Sequence, residues 1–328
     1  MTRILSYNIL VGGTRRIDPI ERMIREADPD VVGLVEATNL EVVRELARRL
    51  GMEYRTNAAP DGSWKPSIAL LSRLPITGSE IHPCSGLITR PLLEVMLEES
   101  HGERLTAFVV HLIASFSDGR GGEHIRRKEV REILRVTQAN QGPHFLMGDF
   151  NALAPGDSFK ASALLGYLLE QEQRRKDRSY DSNGHPTLDG VVPPSLRFLN
   201  PFLNQIPRSK LLCAMFDAAS SLYAPRGSIR LLRKAGYVDC FRSLHPRERG
   251  FTCPAAAPAG RIDYIFANSL LAARLSACAV VEGNDEVRGR EASDHLPIMV
   301  EFGAGVETPV KPCKDELVEA GETRSEAL

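Results

Sequence analysis

Aromatic side chains are scarce: they make up 6% of the chain, with a single tryptophan, Trp64. Stacking platforms for unpaired bases are therefore not advertised. Net charge is scarce as well, since 41 Lys and Arg face 42 Asp and Glu for a formal −1. The global basic field that drives non-specific coating of nucleic acid is missing, which leaves only a local basic groove open. The six cysteines, Cys84, Cys213, Cys240, Cys253, Cys278 and Cys313, include no Cys-x-x-Cys pair. Neither zinc spacing nor the density of a disulfide scaffold is there, so most are expected to be buried, reduced thiols. No apolar run approaches the roughly 20 residues needed to span a bilayer. Met1-Thr-Arg-Ile-Leu-Ser-Tyr-Asn8 enters a strand at once and leaves no room for a signal peptide. A cytoplasmic protein without a membrane segment is expected, and no protein partner can be read.

What is present is the composition of a soluble globular protein, 43% hydrophobic and 25% charged over 328 residues. Arg3 to Leu10 reads as a strand closed by Gly12-Gly13. Asp18-Pro19 offers a cap and a first-turn proline for a helix running to Asp28. Val31 to Val35 is a buried strand, and Thr38 or Asn39 caps a helix that Gly51 stops. Strands follow at Ile68–Leu71, Leu92–Leu97 and Leu105–Val110, then a helix from about Glu123 to Ala139. Late strands are expected at Arg261–Ala267, Ala277–Val281 and Leu296–Phe302. This order implies an α/β protein with a mixed sheet system rather than one doubly wound sheet. Residues 156–235 break the rhythm with helix-like pieces around a polar, Pro-rich middle, and read as a largely helical insertion in one domain spanning 1–303. The Gly-, Pro- and charge-rich tail 304–328 is expected to be disordered.

The most informative stretch is His144-Phe-Leu-Met-Gly-Asp-Phe-Asn-Ala152, a short apolar strand that stops at Gly148, Asp149 and Asn151. Gly-Asp-x-Asn is also an ordinary turn, because Asp and Asn bond their own backbone, and the stretch alone leaves both readings open. Other apolar strands likewise end in residues suited to phosphate or metal chemistry: Asn8, Glu36, His111, Asp263, and Asp294 with His295. Each has a dull explanation on its own. Six such endings point to one sheet edge, where α/β proteins place active sites.

Ser-Tyr-Asn8, Val-Glu36-Ala, His111-Leu, Gly-Asp149-Phe-Asn151, Arg-Ile-Asp263-Tyr and Ser-Asp294-His295 resemble, in order, the successive motifs of the endonuclease/exonuclease/phosphatase superfamily. These are the metal-dependent phosphoesterases of the deoxyribonuclease type. The resemblance implies a four-layer αββα sandwich, two mixed sheets packed face to face with helices outside and the site at one edge. It implies Mg2+ (or Mn2+) held by Glu36, with Asp294 beside it or one water away. Asp149 would orient or deprotonate the attacking water, and Asn151 and Asn8 would hold Asp149 and the phosphate. His295, tuned by Asp263, would donate to a phosphoryl oxygen, and His111 would be a second donor or the leaving-group acid. Hydrolysing a phosphodiester needs just such an activated water and charge neutralisation.

Two departures are informative. Leu10 stands where some abasic-site endonucleases carry a further carboxylate, which speaks against a two-metal arrangement with a ligand there, and His111 stands where those enzymes carry tyrosine, which points away from abasic-site repair. A nuclease-type phosphodiesterase acting on DNA or RNA leads. The alternatives are a phosphatase or phosphodiesterase for a small molecule or lipid headgroup, and an inactive binding protein on the same fold. The runs Arg126-Arg127-Lys128 and Arg174-Arg175-Lys176 could meet a polyanion, but read first as solvated helix faces.

Overall fold

A computed structural model describes residues 1–58, 67–83, 90–100, 102–114, 120–176, 185–192, 194–284 and 288–304. Trp64, Cys84, Cys313 and tail residues 305–328 lie outside them. Among the described residues twelve strands form the frame: β1 Thr2–Asn8, β2 Val31–Val35, β3 Glu53–Thr56, β4 Ile68–Ser72, β5 Ile76–His82, β6 Leu92–Glu98, β7 Arg104–His111, β8 His144–Asp149, β9 Val238–Asp239, β10 Asp263–Ala267, β11 Leu275–Val280 and β12 Ile298–Phe302. They build two six-stranded sheets, ordered β11-β12-β1-β2-β4-β3 and β5-β6-β7-β8-β10-β9. Each sheet is mixed, with one parallel pair apiece, β1 with β2 and β7 with β8. The expected α/β sandwich is thus the observed one.

Three layers of apolar packing explain the stack. Ile4, Val35, Leu70, Val109, Met147 and Ile265 face one another between the sheets. Strands buried on both faces read as unbroken apolar runs, which is why β2 is Val-Val-Gly-Leu-Val. Gly33 belongs to this interface, because a Cβ there would lie 2.5 Å from Met147 of the opposite sheet. The helices Ile17–Ala27 and Leu40–Leu50 cover the first sheet through Ile20, Ile24, Val43 and Leu46. Asn39 starts the second of these by accepting from the Glu41 and Val42 amides, and Gly51 ends it at φ 66°. Asp18 is not the cap of the first helix, which begins one residue earlier; Arg16 occupies the cap position and donates to the Leu10 and Ala292 carbonyls. The helices Arg120–Thr137 and Gly227–Lys234 cover the second sheet through Val130, Ile133, Ile229 and Leu232.

The described residues between β8 and β9 are largely helical, with Ala161–Arg174 and Lys210–Tyr223 the longest pieces and a small core of Leu165, Tyr167, Leu168 and Leu188. The solvated-face reading holds for Arg174 and Lys176 but fails at Arg126. That guanidinium is buried, donating to the Ile113 carbonyl at 3.1 Å and lying 3.5 Å from Glu123. Cys240 and Cys278 are buried, Cys213 and Cys253 half-buried, and all four are free. No helix among the described residues is long and apolar enough to cross a membrane.

Gly148 is the tightest point of the frame. It has φ 142°, and a Cβ would fall 1.9 Å from the Val110 carbonyl oxygen on β7. Gly148→Ala is expected to cost about 3 kcal/mol or more of stability, because neither backbone can yield without parting the β7–β8 pair. Urea unfolding measures it; a midpoint equal to the parent's would show that the strands can slide apart at no cost.

Candidate active site

The strand registers set three site residues in a row. His111 ends β7 opposite Asp149, and Asp263 opens β10 opposite Asp149 on its other side. The first sheet supplies the facing groups. Asn8 ends β1 beside Val35, after which the chain turns to Glu36, and Asp294 and His295 lie just ahead of β12. Asp263 and the Asp294-His295 pair therefore stand where strands begin, not where they end as the sequence suggested. The reason is direction: β10 and β12 run antiparallel to their neighbours, so their starts share the edge with the ends of β8 and β1.

Asp149 lies at the centre. Its Oδ2 accepts from Asn8 Nδ2 and Asn151 Nδ2, both at 3.2 Å, and lies 3.7 Å from His111 Nε2 and 4.0 Å from His295 Nε2. Its Oδ1 accepts from the Asn151 amide at 2.8 Å. The Asn8 amide also reaches Glu36 Oε1 at 3.3 Å, so one side chain bridges the two carboxylates. Asn151 gives its other amide hydrogen to the Leu112 carbonyl at 2.9 Å. Both Asn side chains thus have their donors taken by the protein, and a phosphate would have to displace one. His295 Nδ1 meets Asp263 Oδ2 at 2.8 Å, which completes the expected dyad. Asp294 is buried and flanks the set, with Oδ1 3.5 Å from Ser293 Oγ.

Several of these positions hold strained backbone. Leu10, Val11, Glu36 and Asn151 have φ of 50°, 44°, 57° and 47°, a region costly for side chains with a Cβ and most of all for valine. Local bonds hold them there: Val11 N donates to Glu36 Oε2 at 2.8 Å and Leu10 N to Asn8 Oδ1 at 3.0 Å. The turn reading of Gly-Asp-Phe-Asn and the site reading are therefore one geometry.

The electrostatics follow from burial. Burial, then the charges of Asp263 and Glu36, push the Asp149 carboxyl up to about 7 against the opposing pull of His295. Burial would push His295 down, but Asp263 holds it well above the usual histidine range, so it stays cationic. Burial, then Arg90, push His111 well below that range, and it stays neutral. Ligand atoms of Asp149, Asp263 and His295 lie within 4.8 Å of one another, but His295 would have to give up its proton before this group could hold a metal ion. Glu36 and Asp294 fall outside that group, Glu36 standing half-exposed across Asn8. A pocket whose own carboxylates oppose the ionisation of Asp149 has an excess of negative charge, and a hard cation would offset it.

Sequence reasoning missed four contributors. Arg90 contacts His111 Nε2 and lies near enough to Asp149 and Glu36 to feel both charges. Cys253 lies beside His295, its thiol pushed by burial up to about 11. Ser293 donates to the Asn8 carbonyl at 2.7 Å and accepts from His295 N at 3.2 Å, tying β1 to the loop before β12. Thr252 Oγ1 accepts from the Asp263 amide at 3.3 Å. Only Arg90 left a trace, a charge just ahead of Pro91 and an apolar strand.

An αββα sandwich with carboxylates, amides and a His-Asp dyad on one edge defines a phosphoesterase class of site. The model of the Endonuclease/Exonuclease/phosphatase family matches residues 5–295, and the chain belongs to that family of phosphoester-hydrolysing enzymes. No curated protein matches it in sequence. Among solved structures it is similar to an AP endonuclease from Archaeoglobus fulgidus, with a TM-score of 0.61 and 14% identity over 93% of this chain and 100% of that one. It is similar to a variant of the 3′ phosphatase NExo from Neisseria bound to a product DNA hairpin, at 0.58 and 14% over 93% and 100%. A humanised D. rerio TDP2 gives 0.55 and 19% over 92% and 99%. At such identities these likenesses speak to the fold.

Proposed function

We propose that this enzyme is a phosphodiesterase working with a divalent cation, Mg2+ or Mn2+, in which Asp149 orients and deprotonates the attacking water. One observation carries the reading: the buried Asp149 Oδ2 faces Asn8, Asn151, His111 and His295 at 3.2 to 4.0 Å. Four polar groups that could meet a phosphoryl group thus surround a carboxylate oxygen able to take a proton from water. Glu36 would hold the cation with Asp294 beside it, and a hard cation so bound takes oxygen ligands and draws charge from the phosphoryl oxygens. His295, kept cationic by Asp263, donates to a phosphoryl oxygen. Asn8 and Asn151 fix Asp149 and border the phosphate. His111, contacted by Arg90 and 3.7 Å from Asp149 Oδ2, is a second donor or the leaving-group acid; burial and Arg90 lower its proton affinity, which disfavours the acid role in the free protein.

A nuclease-type substrate, DNA or RNA, is supported by the likeness to an AP endonuclease and to a phosphatase with bound DNA. A small-molecule or lipid-headgroup phosphoester is the second reading, favoured by the exposed apolar helix described below. The complete set of polar groups speaks against a silent binding protein. We place the enzyme in the cytoplasm, where the four described thiols would stay reduced.

Hydrolysis of bis-p-nitrophenyl phosphate is expected to need Mg2+ or Mn2+ and to stop with EDTA; turnover indifferent to EDTA would remove the cation from the scheme. The rate should rise with pH through the Asp149 ionisation at about 7. Raising Mg2+ should move that limb to lower pH, since a nearby cation favours the carboxylate. Profiles at two Mg2+ concentrations read both effects, and a rate independent of pH from about 5 to 9 would assign the base elsewhere. Plasmid nicking compared with phosphate release from phosphomonoesters separates the two substrate readings. Release without nicking would favour the second.

A further inference from the structure

The helix Lys210–Tyr223 turns apolar side chains to solvent. It has no buried residue, and Leu211, Met215, Leu222 and Tyr223 are 70%, 60%, 85% and 83% exposed. Leu211, Met215, Ala218 and Leu222 recur at i, i+4, i+7 and i+11, so they line one stripe. Phe198 and Phe202, on the helical turns just before, are 70% and 68% exposed. Seven of the twelve large apolar side chains exposed among the described residues fall in this span, which is too concentrated for ordinary surface scatter.

Charge accompanies the stripe. From Pro194 to Lys234 there are seven Arg and Lys and a single carboxylate, Asp217, in a chain whose formal charge is −1. Asp217 is already taken, accepting from the Ser162 amide at 2.7 Å and lying 3.5 Å from Lys160. Arg208, Lys210, Arg230 and Lys234 are exposed, and the salt bridges among the described residues include none of them.

We propose that this helix and the turns before it form a docking face for an anionic lipid bilayer, lying in the headgroup layer without crossing it. Exposed aliphatic and aromatic side chains flanked by unpaired cations are what such a surface rewards. A second copy fits less well, because a two-fold contact sets the same patch against itself and would bring the exposed Arg208 and Lys210 of one copy toward those of the other. Nucleic acid would answer the cations but leave Leu211, Met215 and Leu222 against phosphates and sugars, in an interface that is normally polar.

The C-terminal end of the helix is tied to the loop that follows Asn151. Arg226, just past the helix, donates to the Ala154 carbonyl at 3.2 Å and the Asp157 carbonyl at 3.0 Å, a few residues beyond Asn151. A docked enzyme would then present the Asp149 site to phosphoesters in or near the headgroup layer. That last step rests on the phosphodiesterase reading; the docking does not.

The test is co-sedimentation of the full chain with vesicles of phosphatidylcholine, alone or with about a quarter phosphatidylglycerol. Binding is expected to the anionic vesicles only, and to fall as salt rises from about 0.05 to 0.5 M. Changing Met215→Ser, Leu222→Ser and Tyr223→Ser together should lower the partition coefficient at least about tenfold. The triple variant should keep the parent's melting temperature and its rate on soluble bis-p-nitrophenyl phosphate. Asp149→Asn should bind vesicles as the parent does, which separates failure of docking from failure of the catalytic reading. Absence of binding to anionic vesicles, or equal binding by the triple variant, overturns the proposal. So does a dimer, or a complex with duplex DNA, that the same three substitutions abolish, since the face would then belong to that partner.

Discussion

Asp149→Asn should lower kcat by about a thousandfold or more while leaving the protein at least as stable as its parent. The activity loss is the size associated with removing a positioned base, about 10²–10⁴, and an amide cannot take the proton. The stability has the opposite sign because the carboxylate is disfavoured where it stands: burial, Asp263 and Glu36 all oppose its charge. The folded pKa of about 7 lies above the ordinary carboxylate value, so the folded state binds the proton more tightly than the unfolded chain does. Stability conferred by the neutral form is full below the unfolded pKa and is lost as pH rises toward 7. Asparagine is uncharged at every pH, although its amide leaves one acceptor oxygen for the three donors that meet Asp149. The gain in melting temperature over the parent should therefore be near zero at about pH 4 and largest at about pH 8. Melting curves and single-turnover rates on the same samples check both halves. An active variant would put the base elsewhere, and a variant destabilised at pH 8 would mean the carboxylate is held by favourable bonds that outweigh its burial.

Arg261→Met should cost about 3–5 kcal/mol in unfolding free energy, the range for removing one partner of a buried ion pair. Arg261 is fully buried, donates from Nη1 and Nη2 to the two oxygens of Asp239 at 2.7 Å each, and from Nε to Asp157 at 2.9 Å. Its guanidinium lies 4.4 Å from the Tyr264 ring centroid. The pair is not itself proof of net stabilisation, since desolvating three charges offsets much of their attraction. The cost comes from what the substitution leaves behind. Asp157 keeps Arg242 at 2.9 Å, but Asp239 would retain only a cap bond from the Arg242 amide at 3.1 Å. Adding Asp239→Asn to Arg261→Met should recover part of the loss, and a double-mutant cycle in urea gives the coupling. A single-variant loss under about 1 kcal/mol would show that water replaces the guanidinium.

The residues that gather at this edge were more legible in the sequence than the edge strands of the frame around them. Asn8, Glu36, His111 and Asp149 could be read because each interrupts an apolar run, and a polar residue at the end of a buried strand has few places to point. Asp263 and His295 were legible through their motifs, though strand direction was not: an apolar run looks alike in both senses. The edge strands β3 and β5 were missed because their residues are mostly exposed or half-buried and leave no apolar pattern to detect. Arg90, Cys253 and Thr252 act through contacts across the fold, and no local pattern encodes a partner 21 residues away, as for Arg90 and His111. Arg126 shows the same limit in reverse. A basic run on a helix says solvent until the Ile113 carbonyl and Glu123 are known to surround it.

The two sheets contribute separate halves of the catalytic edge. Asn8, Glu36 and His295 belong to one, and His111, Asp149 and Asp263 to the other. The bonds from Asn8 to Asp149 and from His295 to Asp263 are thus stitched across a seam, and Met147 fills the notch at Gly33 beneath it. Turnover then works as a gauge of how well that seam is closed. A shift of about half an ångström between the layers, too small to unfold anything, would part Asp149 from its partners; on the proposed mechanism, repacking far from the edge would then lower activity while the fold survives.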